Sequence, residues 1–300
     1  MSLLPDTARA MRPAGVPDSV PLAPSFDEAS LIAPALLEVE GLRVSASDGS
    51  ELVHGVDVSI RRGDALGIVG ESGSGKTLTC RAMLGILPIG TRVTGGRILI
   101  DGRDMAGARQ KDWLQIRGKR VAAVFQDPAS YLNPSAKVGA QLEEVLRVTA
   151  GASRRDARER AFALLTRLDL RNVDRVSRQR IGELSGGMLQ RVLIAMALAA
   201  DPDVLIADEA TTALDVTVQA EILDLLRDLR AERDLALVLV SHDLAVVSQV
   251  CERVMVFRDG EVVERGATAR VLKTPAHPYT RSLLTAHARY GLERYLGSVL

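Results

Sequence analysis

Only two cysteines occur in this chain of 300 residues, Cys80 and Cys251, each inside an apolar pattern and far from the other. That excludes a disulfide framework and reads as two reduced, buried thiols. The four histidines are scattered and form no metal-ligand spacing. Charge of one sign is not in excess, with 38 Lys and Arg against 38 Asp and Glu. No global field therefore draws the chain to nucleic acid or to an anionic membrane. The local basic runs, Arg117-Gly118-Lys119-Arg120 and Arg154-Arg155, read as solvated surface. No apolar run reaches the roughly 18–20 residues of a membrane span. The longest, Val192 to Ala200, is far too short. The amino terminus lacks the basic-then-apolar pattern of a secretory signal. The expectation is a cytoplasmic chain that meets a membrane only through partners.

What is present is ample material for a core, with 47% hydrophobic residues. Residues 1–34 carry six of the twelve prolines and no sustained periodicity, and are expected to form a disordered leader. From Leu36 the pattern changes. Leu36 to Glu40 and Val56 to Ile60 alternate like strands, with a turn at Asp48-Gly49 between them. Further strands are expected at Ala65–Val69, Gly95–Ile100, Val121–Phe125, Val204–Ala207, Leu235–Val240 and Arg253–Phe257. Helical spacing marks Leu78–Leu87, the stretch from about Val138 to Leu168, and Val216–Arg230. Strands alternating with helices imply an α/β sheet with a parallel core, interrupted by a helix-rich insert after Gln126.

One stretch carries chemistry by itself. Gly70-Glu71-Ser72-Gly73-Ser74-Gly75-Lys76-Thr77 fits G-x-x-x-x-G-K-[ST] between an apolar strand and a helix. Its glycines let consecutive N–H groups turn toward phosphate oxygens, and the helix N-terminus adds partial positive charge. Lys76 supplies a full charge for the β- and γ-phosphates, as a contributor of charge rather than of packing. Thr77 offers a hydroxyl to Mg²⁺. Val204 to Ala207 forms an apolar strand that runs into two carboxylates, Asp208 and Glu209. Asp208 is expected near Mg²⁺ through a water, and Glu209 as the base that polarises an attacking water. An acidic pair after a strand is often just a helix start; coupled in order to the phosphate loop and to the stretch Leu184 to Arg191, this one favours the catalytic reading.

Leu184-Ser185-Gly186-Gly187-Met188-Leu189-Gln190-Arg191 is rarer. Ser185 reads as a helix N-cap. The two glycines weaken the first turn by about 1 kcal/mol each relative to Ala, which close backbone approach to a ligand would explain. This stretch resembles the signature of the ATP-binding cassette (ABC) ATPases, and with the phosphate loop it identifies the chain as similar to that family from about Leu36 to Ala288. The resemblance implies a P-loop NTPase fold with a mostly parallel central sheet, an antiparallel β subdomain and a helical subdomain at about 127–200. The cassette would span 35–288, and 289–300 would be a short tail. It implies that Ser185, Gly186 and Gly187 bind the ATP of a partner cassette in a head-to-tail dimer. Gln126 resembles the glutamine that contacts Mg²⁺ or the lytic water. His242, in Val-Ser-His-Asp, resembles the switch histidine on the γ-phosphate. Ala213-Leu214-Asp215 resembles the loop that crosses the dimer interface, with Asp215 near nucleotide.

Within the family the chain looks like the ATPases of oligopeptide, dipeptide and nickel importers. The matching residues are Gly70–Lys76, Phe125–Pro134, Ala213–Ala220 and the late segment Pro275-Ala276-His277-Pro278-Tyr279-Thr280-Arg281-Ser282-Leu283-Leu284. The implied function is ATP hydrolysis that powers a peptide importer, with nickel or another small solute as the alternative cargo. The implied partners are two membrane permeases, a second ABC ATPase and, through the complex, an extracytoplasmic binding protein. The implied location is the cytoplasmic face of the membrane. A mechanical ABC ATPase would carry a long coiled-coil insert or two cassettes, and a small-molecule kinase would not need the signature. Three departures stand out. Arg43-Val44-Ser45-Ala46-Ser47 has no aromatic where the family stacks one on adenine. Ala210 follows Glu209 where proline is usual. The cysteine-containing tail of many relatives is not expected, and with it no iron–sulfur cluster.

Overall fold

The computed structural model describes residues 34–212 and 214–288. Residues 1–33 of the expected leader, the expected tail over 289–300, and Ala213 lie outside the described residues. The described elements begin with β1 (Leu37–Ala46) and β2 (Glu51–Ile60), joined where the Asp48 carboxylate accepts the Ser50 N–H at 2.9 Å. Alternation buries Leu37, Val39, Leu42 and Val44 on β1 and Val53, Val56, Val58 and Ile60 on β2. Next come β3 (Ala65–Val69), α1 (Lys76–Met83), β4 (Thr91–Ile100), β5 (Arg103–Asp104), α2 (Gln110–Ile116) and β6 (Val121–Phe125).

Five helices follow without an intervening strand: α3 (Pro128–Tyr131), α4 (Val138–Thr149), α5 (Arg154–Arg167), α6 (Val173–Arg178) and α7 (Gly186–Leu198). The helical spacing over 138–168 resolves into two helices, because Ser153 caps α5 by accepting the Asp156 N–H at 3.2 Å. Alternation then resumes with β7 (Val204–Asp208), α8 (Val216–Arg233), β8 (Ala236–Ser241), α9 (Leu244–Ser248), β9 (Arg253–Arg258), β10 (Glu261–Ala267), α10 (Thr268–Lys273) and α11 (Pro278–Ala288). The sequence pattern does not reveal β10, an edge strand that pairs antiparallel with β9 and buries only Glu264.

Two sheets result. One is antiparallel, in the order β2-β1-β4-β5, and the other runs β10-β9-β3-β8-β7-β6. The neighbouring pairs from β9 to β6 are all parallel. Strands β3, β7 and β8 are buried along their full length, which is why they read as continuous apolar runs and not as alternation. Successive residues feed opposite cores. Val204, Ile206, Val238 and Val240 pack with α1 and the antiparallel sheet. Leu205, Ala207, Leu237 and Leu239 pack with α4, α5, α7 and α8. Both cysteines are free and buried, and burial pushes both thiols well above their ordinary range.

Candidate functional site

Parallel register gathers the predicted residues at one end of the large sheet. Val69 pairs with Ser241, Asp208 with Val240, and Phe125 with Asp208. The residues that leave these strands are Gly70, His242, Glu209 and Gln126. They emerge side by side at the carboxyl ends of β3, β8, β7 and β6, where α/β sheets bind their ligands. With about 4.8 Å between neighbouring strands, the row spans roughly 14 Å.

The loop after β3 is tightly constrained. Gly70 has φ +154, and a Cβ there would lie 2.3 Å from the Phe257 carbonyl oxygen, so only glycine fits. Gly75 precedes α1 with no side-chain cap, which leaves the first N–H groups of the helix free for an acceptor from outside the chain. Lys76 is only 3% exposed. Its Nζ donates to the carbonyls of Gly70 at 2.8 Å and Glu71 at 2.7 Å. The lysine is thus a structural hub of the loop as well as a charge, which corrects the reading of it as charge alone. Burial pulls its ammonium below the ordinary lysine range, against the nearby Glu209 and Asp208 carboxylates.

Thr77, at the start of α1 after β3, meets Asp208 at the end of β7, although β8 lies between β3 and β7. The Thr77 hydroxyl donates to Asp208 Oδ1 at 3.2 Å. Asp208 is buried at the end of β7, and burial raises its carboxyl above the usual range, with Glu209 adding to this and the Thr77 bond opposing it. Glu209 adopts a left-handed backbone with φ +50, a conformation that costs about 1–2 kcal/mol for an L-residue. Its N–H donates to the Val240 carbonyl at 3.0 Å, which holds the turn. The strand therefore stops at Asp208, and the chain swings Glu209 out of the sheet. Nothing in the local sequence signals that conformation.

Gln126 and His242 are both exposed at their strand ends. Each is followed by an aspartate that caps a short helix. Asp127 accepts the Ala129 N–H at 3.1 Å, and Asp243 accepts the Ala245 N–H at 2.7 Å. Ser241 Oγ also accepts the Asp243 N–H at 3.0 Å. These caps fix where the chain turns beside Gln126 and His242.

The signature stretch starts α7. Ser185 Oγ accepts the Met188 N–H at 3.4 Å, as its sequence position predicts. The glycines divide in role. A Cβ on Gly187 would lie 2.6 Å from Val218 Cγ1, so this glycine lets α7 pack against α8. Packing against α8 is thus a reason for glycine at 187 that stands beside the expected approach to a ligand. Gly186 meets only Leu214, at an ordinary 3.6 Å, and no internal contact requires it to be glycine. Asp215 caps α8 by accepting the Val218 N–H at 3.0 Å. Its first assignable task is local structure.

Two residues that the sequence shows only as members of longer motifs take on roles here. Arg191, nearly buried, donates to the Leu168 carbonyl at 2.9 Å and to Glu221 Oε2 at 2.8 Å, and so ties the signature helix to α5 and α8. Tyr279 lies 208 positions from Glu71, yet its phenol oxygen accepts the Glu71 N–H at 3.1 Å. The His-Pro-Tyr sequence marked this segment as a family feature without revealing where it docks.

Comparison with known proteins agrees with this geometry. The family model described as ABC transporter matches residues 53–212. The oligopeptide transport ATP-binding protein OppD of Bacillus subtilis is 43% identical over 255 residues, covering 84% of this chain and 71% of that protein. The dipeptide transport ATP-binding protein DppD of Escherichia coli is 41% identical over 265 residues, covering 87% and 80%. Among solved structures, cbiO1 of Clostridium perfringens, part of the transporter complex cbiONQ, aligns with TM-score 0.71 and 28% identity, over 87% of this chain and 96% of that one. The ATP-binding cassette MJ0796, solved as a dimer in a post-hydrolysis state with ADP and Pi, aligns with TM-score 0.68 and 27% identity, over 77% and 98%. The phosphate loop, the carboxylate-ended strand and the signature helix lie in one fold that matches these cassettes, and the chain belongs to the ABC transporter family as one of its ATP-hydrolysing subunits.

Proposed function

We propose that this chain powers an importer that carries di- or oligopeptides across a cell membrane. The observation that carries this reading is 41–43% identity to peptide-transport ATP-binding proteins over 84–87% of the chain. Among the described residues no helix is long and apolar enough to cross a membrane. The transport path would then be supplied by two permease subunits, with this chain bound peripherally at their cytoplasmic face. A second ABC ATPase, identical or related, completes the engine, and an extracytoplasmic binding protein delivers cargo to the complex.

In this reading the loop from Gly70 to Thr77 cradles the triphosphate, with Lys76 at the β- and γ-phosphates. Glu209 takes a proton from the attacking water, His242 contacts the γ-phosphate, and Gln126 orients the water or the metal. Ser185, Gly186, Gly187 and Asp215 serve the ATP held by the partner cassette. Thr77, Asp208 and Gln126 are the residues that would hold Mg²⁺. Facing hydroxyl and carboxylate oxygens are the hard donors this ion prefers, and Thr77 Oγ1 and Asp208 Oδ1 lie 3.2 Å apart. No cluster of three His, Cys, Asp or Glu side chains suited to a metal exists among the described residues. When bound, Mg²⁺ supplies charge neutralisation at the phosphates.

Deletion of the encoding gene is expected to abolish uptake of labelled di- and tripeptides by its host, and the wild-type gene restores it. Intact peptide uptake with lost nickel uptake would move the assignment to metal import. Intact uptake of both would remove the chain from import of either cargo.

Base recognition gives a second test. The turn after β1 runs Ala46-Ser47-Asp48-Gly49-Ser50, closed by the Ala46 N–H on the Ser50 carbonyl at 2.9 Å. It offers no ring to stack on adenine, a contact worth about 1–3 kcal/mol per base in nucleic-acid complexes. Binding then rests on the triphosphate, and GTP competes with ATP within about tenfold, or about 1.4 kcal/mol. Ala46→Tyr is expected to tighten ATP binding. Competition titration of wild type and variant decides; a wild type that prefers ATP by about a hundredfold (about 2.7 kcal/mol) would point to base recognition elsewhere.

A further inference from the structure

We infer that Tyr279 is a positioning residue for the phosphate loop, holding the Gly70–Glu71 peptide in the orientation that Lys76 requires. The inference rests on the reading of this loop as the ATP site. It concerns a segment beyond residues 53–212, the part matched by the family model.

The peptide between Gly70 and Glu71 is gripped at both ends. Its carbonyl accepts Lys76 Nζ at 2.8 Å, and its N–H donates to the Tyr279 phenol oxygen at 3.1 Å. In a planar trans peptide these two groups point in opposite directions. The tyrosine on one side and the lysine on the other therefore fix the plane of that peptide. If the peptide rotates, Lys76 loses one of its two backbone acceptors, and the start of the loop loses its anchor.

Tyr279 is itself held from several directions. It is buried, and the Arg258 guanidinium sits 5.0 Å from its ring centroid. Its own N–H donates to His277 Nδ1 at 3.2 Å. Burial lowers the basicity of that imidazole, which favours the neutral form that can accept. The buried Glu264 carboxylate on β10 accepts the N–H groups of Ala276 at 2.8 Å and His277 at 3.0 Å. The turn between β9 and β10 adds a parallel tie, with the Gly260 N–H on the Ser74 carbonyl at 3.1 Å. The segment from Glu264 through His277 to Tyr279 thus forms a strap whose far end is the first peptide of the loop. The strap joins α11 directly to the first peptide of the loop.

The test is Tyr279→Phe in the full chain, which keeps the ring and removes the acceptor. Loss of one hydrogen bond to the loop is expected to raise the KM and Kd for Mg-ATP about fivefold to tenfold, with kcat within about twofold of wild type. Hydrogen exchange at the Glu71 amide is expected to accelerate in the same variant. A tyrosine that merely packs would leave KM and that amide unchanged in the phenylalanine variant, whatever its Tm, and this outcome would overturn the inference. His277→Ala, which removes the acceptor of the Tyr279 N–H without touching the loop, is expected to raise KM in the same direction. An unchanged KM in a folded His277→Ala protein would count against the strap should the phenylalanine variant fail to fold. Wild-type protein that binds no Mg-ATP in the same titration would instead refute the nucleotide site itself, so the two failures are distinguishable.

Discussion

Glu209→Gln retains ATP binding and loses hydrolysis by roughly 100- to 10,000-fold, the range of a general-base contribution. The amide keeps the size and hydrogen-bonding shape of the side chain but cannot accept the proton of the attacking water. The structure adds a reason to expect the effect at Glu209 and not at Asp208. Asp208 is buried and engaged by Thr77, whereas Glu209 leaves the sheet through a left-handed turn anchored on the Val240 carbonyl. A residue kept in a costly backbone conformation at a strand end points to a functional demand on its side chain. With hydrolysis blocked, the variant is expected to accumulate as an ATP-bound dimer with its partner cassette, read by size-exclusion chromatography in Mg-ATP. Normal turnover by the purified variant would remove Glu209 from the role of base.

Lys76→Ala is expected to weaken ATP binding by about 100-fold, or about 2.7 kcal/mol, near the upper end for a lost hydrogen bond to a charged group. Turnover falls with it, because phosphoryl transfer depends on positioning and charge at the phosphates. The structure adds a second consequence. Lys76 is only 3% exposed and serves the Gly70 and Glu71 carbonyls, so alanine strands a buried acceptor at a cost of about 1–3 kcal/mol. A lower Tm follows, by about 2–4 °C for each kcal/mol lost. Nucleotide titration and thermal unfolding separate the two effects. Unchanged hydrolysis would refute the site; an unchanged Tm would refute the structural part alone.

Much of the site was legible because its signals are local. The phosphate loop is eight consecutive residues between a strand and a helix, and its chemistry follows from their spacing. The apolar run into Asp208-Glu209 reads as a buried parallel strand because both faces of β7 are covered. Ser185 reads as a cap because capping involves residues three apart, and the structure has that bond. His242 and Gln126 were legible through their resemblance to family motifs, each following an apolar run, and the register of β3, β8, β7 and β6 explains why they share one end of the sheet.

The sequence by itself determined the kind of chemistry, the alternation that builds the sheet and the family to which both belong. These depend on which residue types follow one another over fewer than about ten positions, where backbone geometry is set by local sterics and capping. Only the tertiary structure decided that Val218 lies against Gly187, that Lys76 also holds the loop together, and that Tyr279 reaches Glu71 across 208 positions of chain. The Lys76 bonds close the eight-residue loop on itself, whereas the Gly187–Val218 and Tyr279–Glu71 contacts join segments far apart in the chain. Strand order and helix packing select such partners, and no period or spacing along the chain encodes them.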